Sequence, residues 1–167
     1  MRHKHLSTAL LGFSILAFTG TTLAQQKPAP RKPLTPVTEA MLLNPPPEDW
    51  LMWRRTYDAW GYSPLDKINK NNVKNLRTAW TWAMSPGATE ITPIVHDGVL
   101  FLFNYADKIQ ALDATNGDLL WEYKRDLPAP LVAERGNPLA KRSMAIFGNH
   151  LIVATSDAHL KIGRAHV

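Results

Sequence analysis

The sequence of 167 residues contains no cysteine. A disulfide-stabilised scaffold, a thiolate metal site and a lipid anchor on an amino-terminal cysteine all need that residue, so the sequence excludes them from this stretch. A haem-attachment motif of the form Cys-x-x-Cys-His is excluded for the same reason. The fold must therefore be stabilised by packing, hydrogen bonds and ion pairs.

Long apolar runs are also scarce, and the one candidate lies at the amino terminus. Arg2 and Lys4 precede an apolar stretch over residues 6–18, and a segment of mostly small residues then ends at Ala24. This order is typical of a cleavable secretory signal peptide, and the apolar stretch is too short to span a bilayer. We predict a signal peptide over 1–24, a periplasmic location and no membrane span after cleavage. The alternative is an uncleaved amino-terminal anchor.

The formal net charge is +5, but the excess of basic residues lies in the amino-terminal segments. From Glu48 onward there are 14 basic and 13 acidic residues, a balance that offers no phosphate-tracking patch, so we predict no nucleic-acid partner. Phosphate-binding loops, Gly-x-Gly-x-x-Gly and a Ser-His-Asp order are absent from the sequence as well. His96, His150 and His159 fall in or beside separate hairpin turns. We interpret them as solvated turn residues and predict no metal site among them.

Proline is concentrated ahead of the folded part. Residues 25–47 hold seven of the 13 prolines, and proline fixes φ and cannot donate to a β-ladder. We predict a disordered or polyproline-like leader over 25–47, with a short turn of helix at residues 41–43. A docking site for a proline-binding module is the alternative.

Tryptophan is concentrated in the next segment, residues 48–84, which holds five of the six. Aromatic residues at this density are typical of a core, so we expect these side chains to be buried. Asn69 can cap a short helix over 70–76. Residues 78–84 place Trp80 and Trp82 on one side, as a strand does.

Residues 85–126 contain a complete pattern of consecutive hairpins. Asp97-Gly98 and Asn116-Gly117 lie between apolar runs, where glycine accepts positive φ without strain. Four short strands in about 35 residues have the size of one propeller blade. The predicted strands are Ile94-Val95, Val99–Phe103, Lys108–Asp113 and Asp118–Lys124.

A second copy of this pattern begins 52 residues later and does not finish. After a predicted loop over 127–140, the runs 144–147 and 151–155 repeat the first hairpin, so 141–160 reads as an incomplete second blade. Residues 161–167 carry no aspartate, no tryptophan and no apolar alternation. Their letters match a translated sequencing adapter, and we interpret them as a non-native tail.

The segment from Ala111 to Trp121 resembles the tryptophan-docking motif of the quinoprotein alcohol dehydrogenases, which depend on pyrroloquinoline quinone (PQQ). That motif runs Ala-x-Asp-x-x-Thr-Gly-x-x-x-Trp, and this chain departs from it at Asn116. The order of residues from Asp49 to Trp80 is similar to the amino-terminal segment of the same enzymes. The resemblance implies an all-β fold, a β-propeller that is eight-bladed in the full-length family, with residues 78–84 as the ring-closing strand.

The resemblance also implies two cofactor-binding residues. Glu90, two residues before Thr92-Pro93, matches a glutamate that contacts PQQ, and Arg142 matches an arginine near the cofactor. PQQ bears carboxylates, so contact with Glu90 needs either a shared proton or a neighbouring cation, and Arg142 can supply the cation. Ser143 stands where glycine is common, and two adjacent cysteines found in many relatives are missing. The alternative is a solvated turn glutamate and a solvated basic pair.

Taken together, the resemblance implies part of an alcohol dehydrogenase. Such an enzyme oxidises an alcohol to an aldehyde by hydride transfer to PQQ and passes electrons to cytochrome c. A calcium or lanthanide ion bound with PQQ polarises the quinone, and its ligands and the catalytic base belong to later blades. We therefore expect this fragment alone to be inactive. The alternative function is a non-enzymatic exported β-propeller that serves as a scaffold or binding protein.

Overall fold

The computed structural model describes residues 33–129 and 140–165, and almost all of its regular structure is antiparallel sheet. A single short helix, α1 (Glu39–Leu43), precedes the strands and includes the turn of helix expected at residues 41–43. The predicted signal peptide and most of the predicted loop over 127–140 lie outside the described residues. Among those residues, no helix is long and apolar enough to cross a membrane.

The first sheet is the predicted four-stranded blade, with its strands in the order β1-β2-β3-β4. Asp97 and Gly98, with φ of 48° and 74°, form the turn of the first hairpin and set the register that opposes His96 to Val99. Two central residues with positive φ suit the right-handed twist of the flanking strands. The strands are β1 (Ile94–His96), β2 (Val99–Asn104), β3 (Lys108–Asp113) and β4 (Leu119–Lys124).

The second sheet has three strands, β5 (Ala145–Phe147), β6 (His150–Ala154) and β7 (Leu160–Arg164), in that order. The first two lie where the repeat predicted them. Strand β7 extends into the residues that we interpreted as a non-native tail, and it pairs with β6 by placing Ile162 opposite Ile152. The side chain of Ile162 is exposed in this position. The non-native origin of residues 161–167 stays a prediction.

The central strands of the first sheet, β2 and β3, are buried on both faces. On one face, Phe101, Ala111 and Trp121 lie side by side across β2, β3 and β4, next to the residues that contact the second sheet. On the opposite face, Gln110 accepts a hydrogen bond of 3.2 Å from Trp82 Nε1. A strand covered on both sides has no polar alternation, which explains the continuous apolar run of β2.

The tryptophan-rich segment covers that opposite face, although the expectation of a tryptophan core is wrong. Trp53 and Trp60 are 57% and 79% exposed, and Trp80 and Trp82 are only half-buried. The structure shows no strand at residues 78–84, because no backbone partner lies beside them among the described residues. The expected helix over 70–76 is reduced to one 3₁₀ turn, Val73–Asn75.

Trp80 of this segment packs on the turn between β3 and β4. A Cβ added to Gly117 would lie 2.7 Å from Trp80 Cε3, and Trp80 Nε1 donates to the Ala114 carbonyl at 3.2 Å. Gly117 also has a φ of 80°. The glycine is therefore required twice, once by the turn and once by the indole ring.

Part of the predicted disordered leader has regular structure. Val37 is buried and exchanges two backbone hydrogen bonds with Gly148, the turn residue between β5 and β6. Thr38 caps α1 by accepting from the Met41 amide. Residues 33–47 differ from the prediction because Val37 gains an apolar pocket and a backbone partner, both of which come from distant residues.

His96 is buried, and its interpretation as a solvated turn histidine is wrong. Its side chain is 1% exposed, with Nδ1 lying 2.7 Å from Asp49 Oδ2 and Nε2 lying 2.7 Å from the Thr35 carbonyl oxygen. Both partners accept hydrogen bonds, which favours the doubly protonated ring. Burial lowers the pKa of His96, but the hydrogen bonds from the ring to Asp49 and Thr35 and the charges of Asp49 and Asp97 outweigh it and raise the pKa above 6.5.

We predict that Gly117→Ala destabilises the protein more than Gly98→Ala. Both residues have left-handed backbones, so each substitution costs about 1–2 kcal/mol. Only Gly117→Ala also collides with Trp80, which adds about 1–3 kcal/mol of overpacking, whereas a Cβ at Gly98 meets nothing within 4 Å. Urea unfolding of the two variants measures the difference, and equal losses would contradict the docking of Trp80 on this glycine.

We predict that the contribution of His96 to stability depends on pH. Because its folded pKa is raised, the stabilisation is fully present below pH 6.5 and is lost as the pH rises through the folded value. His96→Gln leaves Asp49 buried without a counter-charge and costs about 3 kcal/mol at low pH. Unfolding measured from pH 5 to 9 should show the wild-type advantage shrinking, with the exposed His150→Gln as control. An advantage that does not change with pH would contradict the ion pair.

Candidate functional site

The two predicted site residues lie side by side, each just before the first strand of its sheet. The Glu90 amide donates to the Lys141 carbonyl at 3.1 Å, and the Thr92 amide donates to the Arg142 carbonyl at 2.9 Å. These backbone bonds place residues 52 positions apart at one point between the sheets. Arg142 Nε then donates to Glu90 Oε2 at 2.6 Å. The structure thus brings together the glutamate and the arginine that the sequence singled out.

Both side chains face solvent rather than the core. Arg142 is 80% exposed and Glu90 is 53% exposed, so their ion pair adds little stability and is free to rearrange. They line an open cleft of about 500 Å³ together with Ser143, Phe103, Ala154 and Lys141, whose side chain is otherwise buried. Glu90 is bound to Nε, which leaves the two terminal nitrogens of the guanidinium fork for an incoming carboxylate. The cleft can therefore hold an anionic, planar group.

Lys141 has the opposite environment, although it is the neighbour of Arg142. Its side chain is 7% exposed, and its Nζ forms an ion pair with Asp107 and a hydrogen bond with Ser156 Oγ. The ammonium also lies 5.3 Å from the centre of the Phe103 ring. Sequence alone could not tell which member of the basic pair faces the cleft, because that depends on where Asp107 and Ser156 lie.

Asp107 was missed by the sequence analysis, which placed it in an ordinary turn between strands. It is fully buried and accepts hydrogen bonds from the Ser156 amide at 2.7 Å and from Ser156 Oγ at 3.1 Å. Its φ of 56° is left-handed, a conformation that aspartate tolerates better than most residues. An aspartate in the turn between two apolar strands was the only available signal, and many solvated turns share it.

A second ion pair ties the same turn of the second sheet to the first sheet. Arg125, just after β4, donates through Nε to both carboxylate oxygens of Asp157 at 3.2 and 3.1 Å, and its Nη2 contacts Asp157 as well. The Arg125 guanidinium, with a hydrogen bond from Thr155 Oγ1, holds the pKa of Asp157 well below its ordinary value. The turn after β6 is therefore anchored at two points.

Metal ligands are not clustered in the part of the chain that the structure describes. Residues 33–129 and 140–165 contain no group of three histidine, aspartate or glutamate side chains placed to hold a metal ion.

A second cavity of about 540 Å³ lies between the sheets and is lined by apolar side chains such as Ile109, Trp121 and Val153. Trp121 Nε1 is buried and has no hydrogen-bond partner among the described residues. Its apolar lining is typical of a packing interface rather than of a polar binding site.

The sequence is similar to a known protein family and to several known proteins. A family described as "PQQ: Glucose/ethanol/alcohol dehydrogenase, beta-propeller domain" matches residues 50–165. The dehydrogenase subunit of an alcohol dehydrogenase (quinone) from Acetobacter aceti is 40% identical over 115 residues, which are 68% of this chain and 16% of the relative. The quinohemoprotein alcohol dehydrogenase ADH-IIG from Pseudomonas putida is 32% identical over 116 residues, 69% of this chain and 16% of the relative.

Solved structures agree in fold. The quinohemoprotein alcohol dehydrogenase ADHIIG from Pseudomonas putida HK5 superposes with a TM-score of 0.70 at 30% identity, covering 79% of this chain and 20% of that one. A europium-containing methanol dehydrogenase superposes with a TM-score of 0.65 at 24% identity, covering 74% and 22% of the two chains. The chain spans about a sixth of the length of the curated relatives that it matches.

Proposed function

Because this chain belongs to the family of β-propeller domains of PQQ-dependent glucose, ethanol and alcohol dehydrogenases, we propose that the whole protein oxidises an alcohol to an aldehyde with PQQ. The observation that supports this most directly is the pair formed by Glu90 and Arg142 at the start of two successive sheets. A propeller that served only as a scaffold would have no need for an exposed charged pair at this point.

The residues of the cleft fit the cofactor by their chemistry. PQQ carries carboxylates, and Arg142 presents an exposed guanidinium that is suited to bidentate binding of such a group. Glu90 stays close to the anionic cofactor because Arg142 neutralises it. When bound there, PQQ would supply a quinone that can take up the hydride removed from the alcohol carbon. The role of these two residues is to bind and orient the cofactor, and neither is assigned to proton transfer.

The remaining parts of the proposal concern the whole protein. Residues 1–24 direct export to the periplasm, and electrons pass from the enzyme to cytochrome c. The catalytic base and the ligands of a calcium or lanthanide ion lie outside this stretch of sequence. We expect the 167-residue chain alone to be inactive, because the four-stranded and three-stranded sheets that the described residues form cannot close a ring or cover their own edges.

We predict that the genomic reading frame continues past Leu160 with further blades. The first should carry a tryptophan-docking turn whose glycine receives Trp121, and later blades should carry a set of asparagine, aspartate and glutamate metal ligands and an aspartate base. Sequencing the locus tests this prediction. Repeats that continue without those ligands would favour the scaffold function, and a genomic sequence identical to residues 161–167 would contradict the non-native tail.

We predict that Arg142→Met, made in the protein expressed from the complete reading frame, weakens PQQ binding by about 10- to 100-fold, the range expected for a lost charge-assisted hydrogen bond. Because Arg142 is exposed, thermal stability should change little. PQQ titration of the cofactor-free protein measures the affinity. The exposed Arg77→Met is the matched control. An unchanged affinity in Arg142→Met would remove this residue from the cofactor site.

A further inference from the structure

We propose that Lys141 is a positioning residue for the cofactor cleft, and that its buried ion pair with Asp107 holds Arg142 against Glu90. This inference rests on the proposed function for the identity of the ligand. Its structural part, the dependence of the Glu90–Arg142 pair on Lys141, stands on contacts within the described residues. Lys141 does not touch the cofactor in this proposal and acts only through its neighbour.

The backbone of residues 140–143 connects Lys141 and Arg142 to the segment that carries Glu90. Residues 140–143 approach β5 without belonging to a strand, so sheet hydrogen bonds do not hold them. Two carbonyls of this segment accept from the amides of Glu90 and Thr92. A shift of the Lys141 backbone would therefore move the Glu90 amide and the base of the Arg142 side chain together.

The carboxylate of Asp107 is a buried charge that Lys141 neutralises. Asp107 is fully buried, and a carboxylate in that position needs a counter-charge. Lys141 supplies it, while Ser156 donates to the carboxylate through both its amide and its hydroxyl group. Removing one partner of a buried pair leaves an uncompensated charge, so the lysine has a strong reason to remain in place.

The side chains of Lys141 and Arg142 lie in opposite environments. Lys141 and Arg142 are adjacent but differ in exposure, since the Lys141 side chain is 7% exposed and the Arg142 side chain is 80% exposed. Asp107 and Ser156 hold Lys141 inward, and Arg142 is the member of the basic pair whose side chain reaches the solvent of the cleft. The Lys141–Asp107 pair also joins the segment before β5 to the turn before β3, and Ser156 links both residues to the turn after β6. The geometry of the cleft therefore depends on how the two sheets pack against each other.

The test is a double-mutant cycle in the protein expressed from its complete reading frame. If Lys141 acts through Arg142, Lys141→Met should weaken PQQ binding by about tenfold. Adding Lys141→Met to Arg142→Met should then cause no further loss. A merely structural role predicts losses that multiply in the double variant, and that result would overturn the proposal. The exposed Lys124→Met is the matched control and should bind PQQ as the wild type does.

A second readout does not depend on PQQ. Amide hydrogen exchange in peptides covering residues 88–94 should speed up in Lys141→Met and stay unchanged in Lys124→Met, because the Glu90 and Thr92 amides lose their fixed acceptors. If the wild type fails to bind PQQ but exchange still responds, the proposed function is wrong and the positioning by Lys141 stands. If PQQ binds and Lys141→Met alters neither affinity nor exchange, the positioning is wrong.

Should Lys141→Met fail to fold, Ser156→Ala tests the same network more gently. This variant removes the hydroxyl group that contacts both Lys141 and Asp107, while the backbone amide still donates to Asp107. We expect a loss of PQQ affinity of about threefold, consistent with one hydrogen bond of ordinary strength. A folded Ser156→Ala protein with wild-type affinity and exchange would overturn the proposal.

Discussion

The constraint on which the structure depends is that the two central strands of the first sheet, β2 and β3, are buried on both faces. A sheet of this kind is stable only between two partners, because exposing either face would leave β2 and β3 against water. The second sheet covers one face, and the segment that carries Trp80 and Trp82 covers the other. The ion pair between Arg125 and Asp157 joins the first sheet to the second in this arrangement.

The candidate site arises where this stacking brings two strand starts together. Glu90 and Arg142 are far apart in sequence, yet backbone hydrogen bonds between their segments place them in contact. Beneath them, Asp107 and Lys141 form a buried pair that joins the two sheets. An exposed pair that can rearrange thus lies directly above a buried pair that cannot. This combination suits a binding site, which must exchange a partner without losing its shape.

Local patterns predicted the local structure well, and they failed where the answer depended on distant residues. Asp97-Gly98 and Asn116-Gly117 placed the hairpins because a turn is decided by the residues within it. The burial of His96 could not be read in this way, since it depends on Asp49 and Thr35. The same holds for Trp60, whose exposure contradicts the expectation from composition. The roles of Glu90 and Arg142 came from the family resemblance, because neither residue has a distinctive local pattern.

By itself, the sequence determined the four strands of the first sheet, their turns, the repeat of 52 residues and the membership of the quinoprotein propeller family. The strands and turns depend on apolar periodicity and turn chemistry, which are local properties of the chain, whereas the family followed from the resemblance of the segment Ala111–Trp121. Only the tertiary structure decided which basic residue faces the cleft and which is buried, because Lys141 and Arg142 are neighbours with similar charge. Lys141 is the buried one because it contacts Asp107 and Ser156. These two residues lie 34 and 15 positions away in sequence and contact Lys141 only when the two sheets pack together.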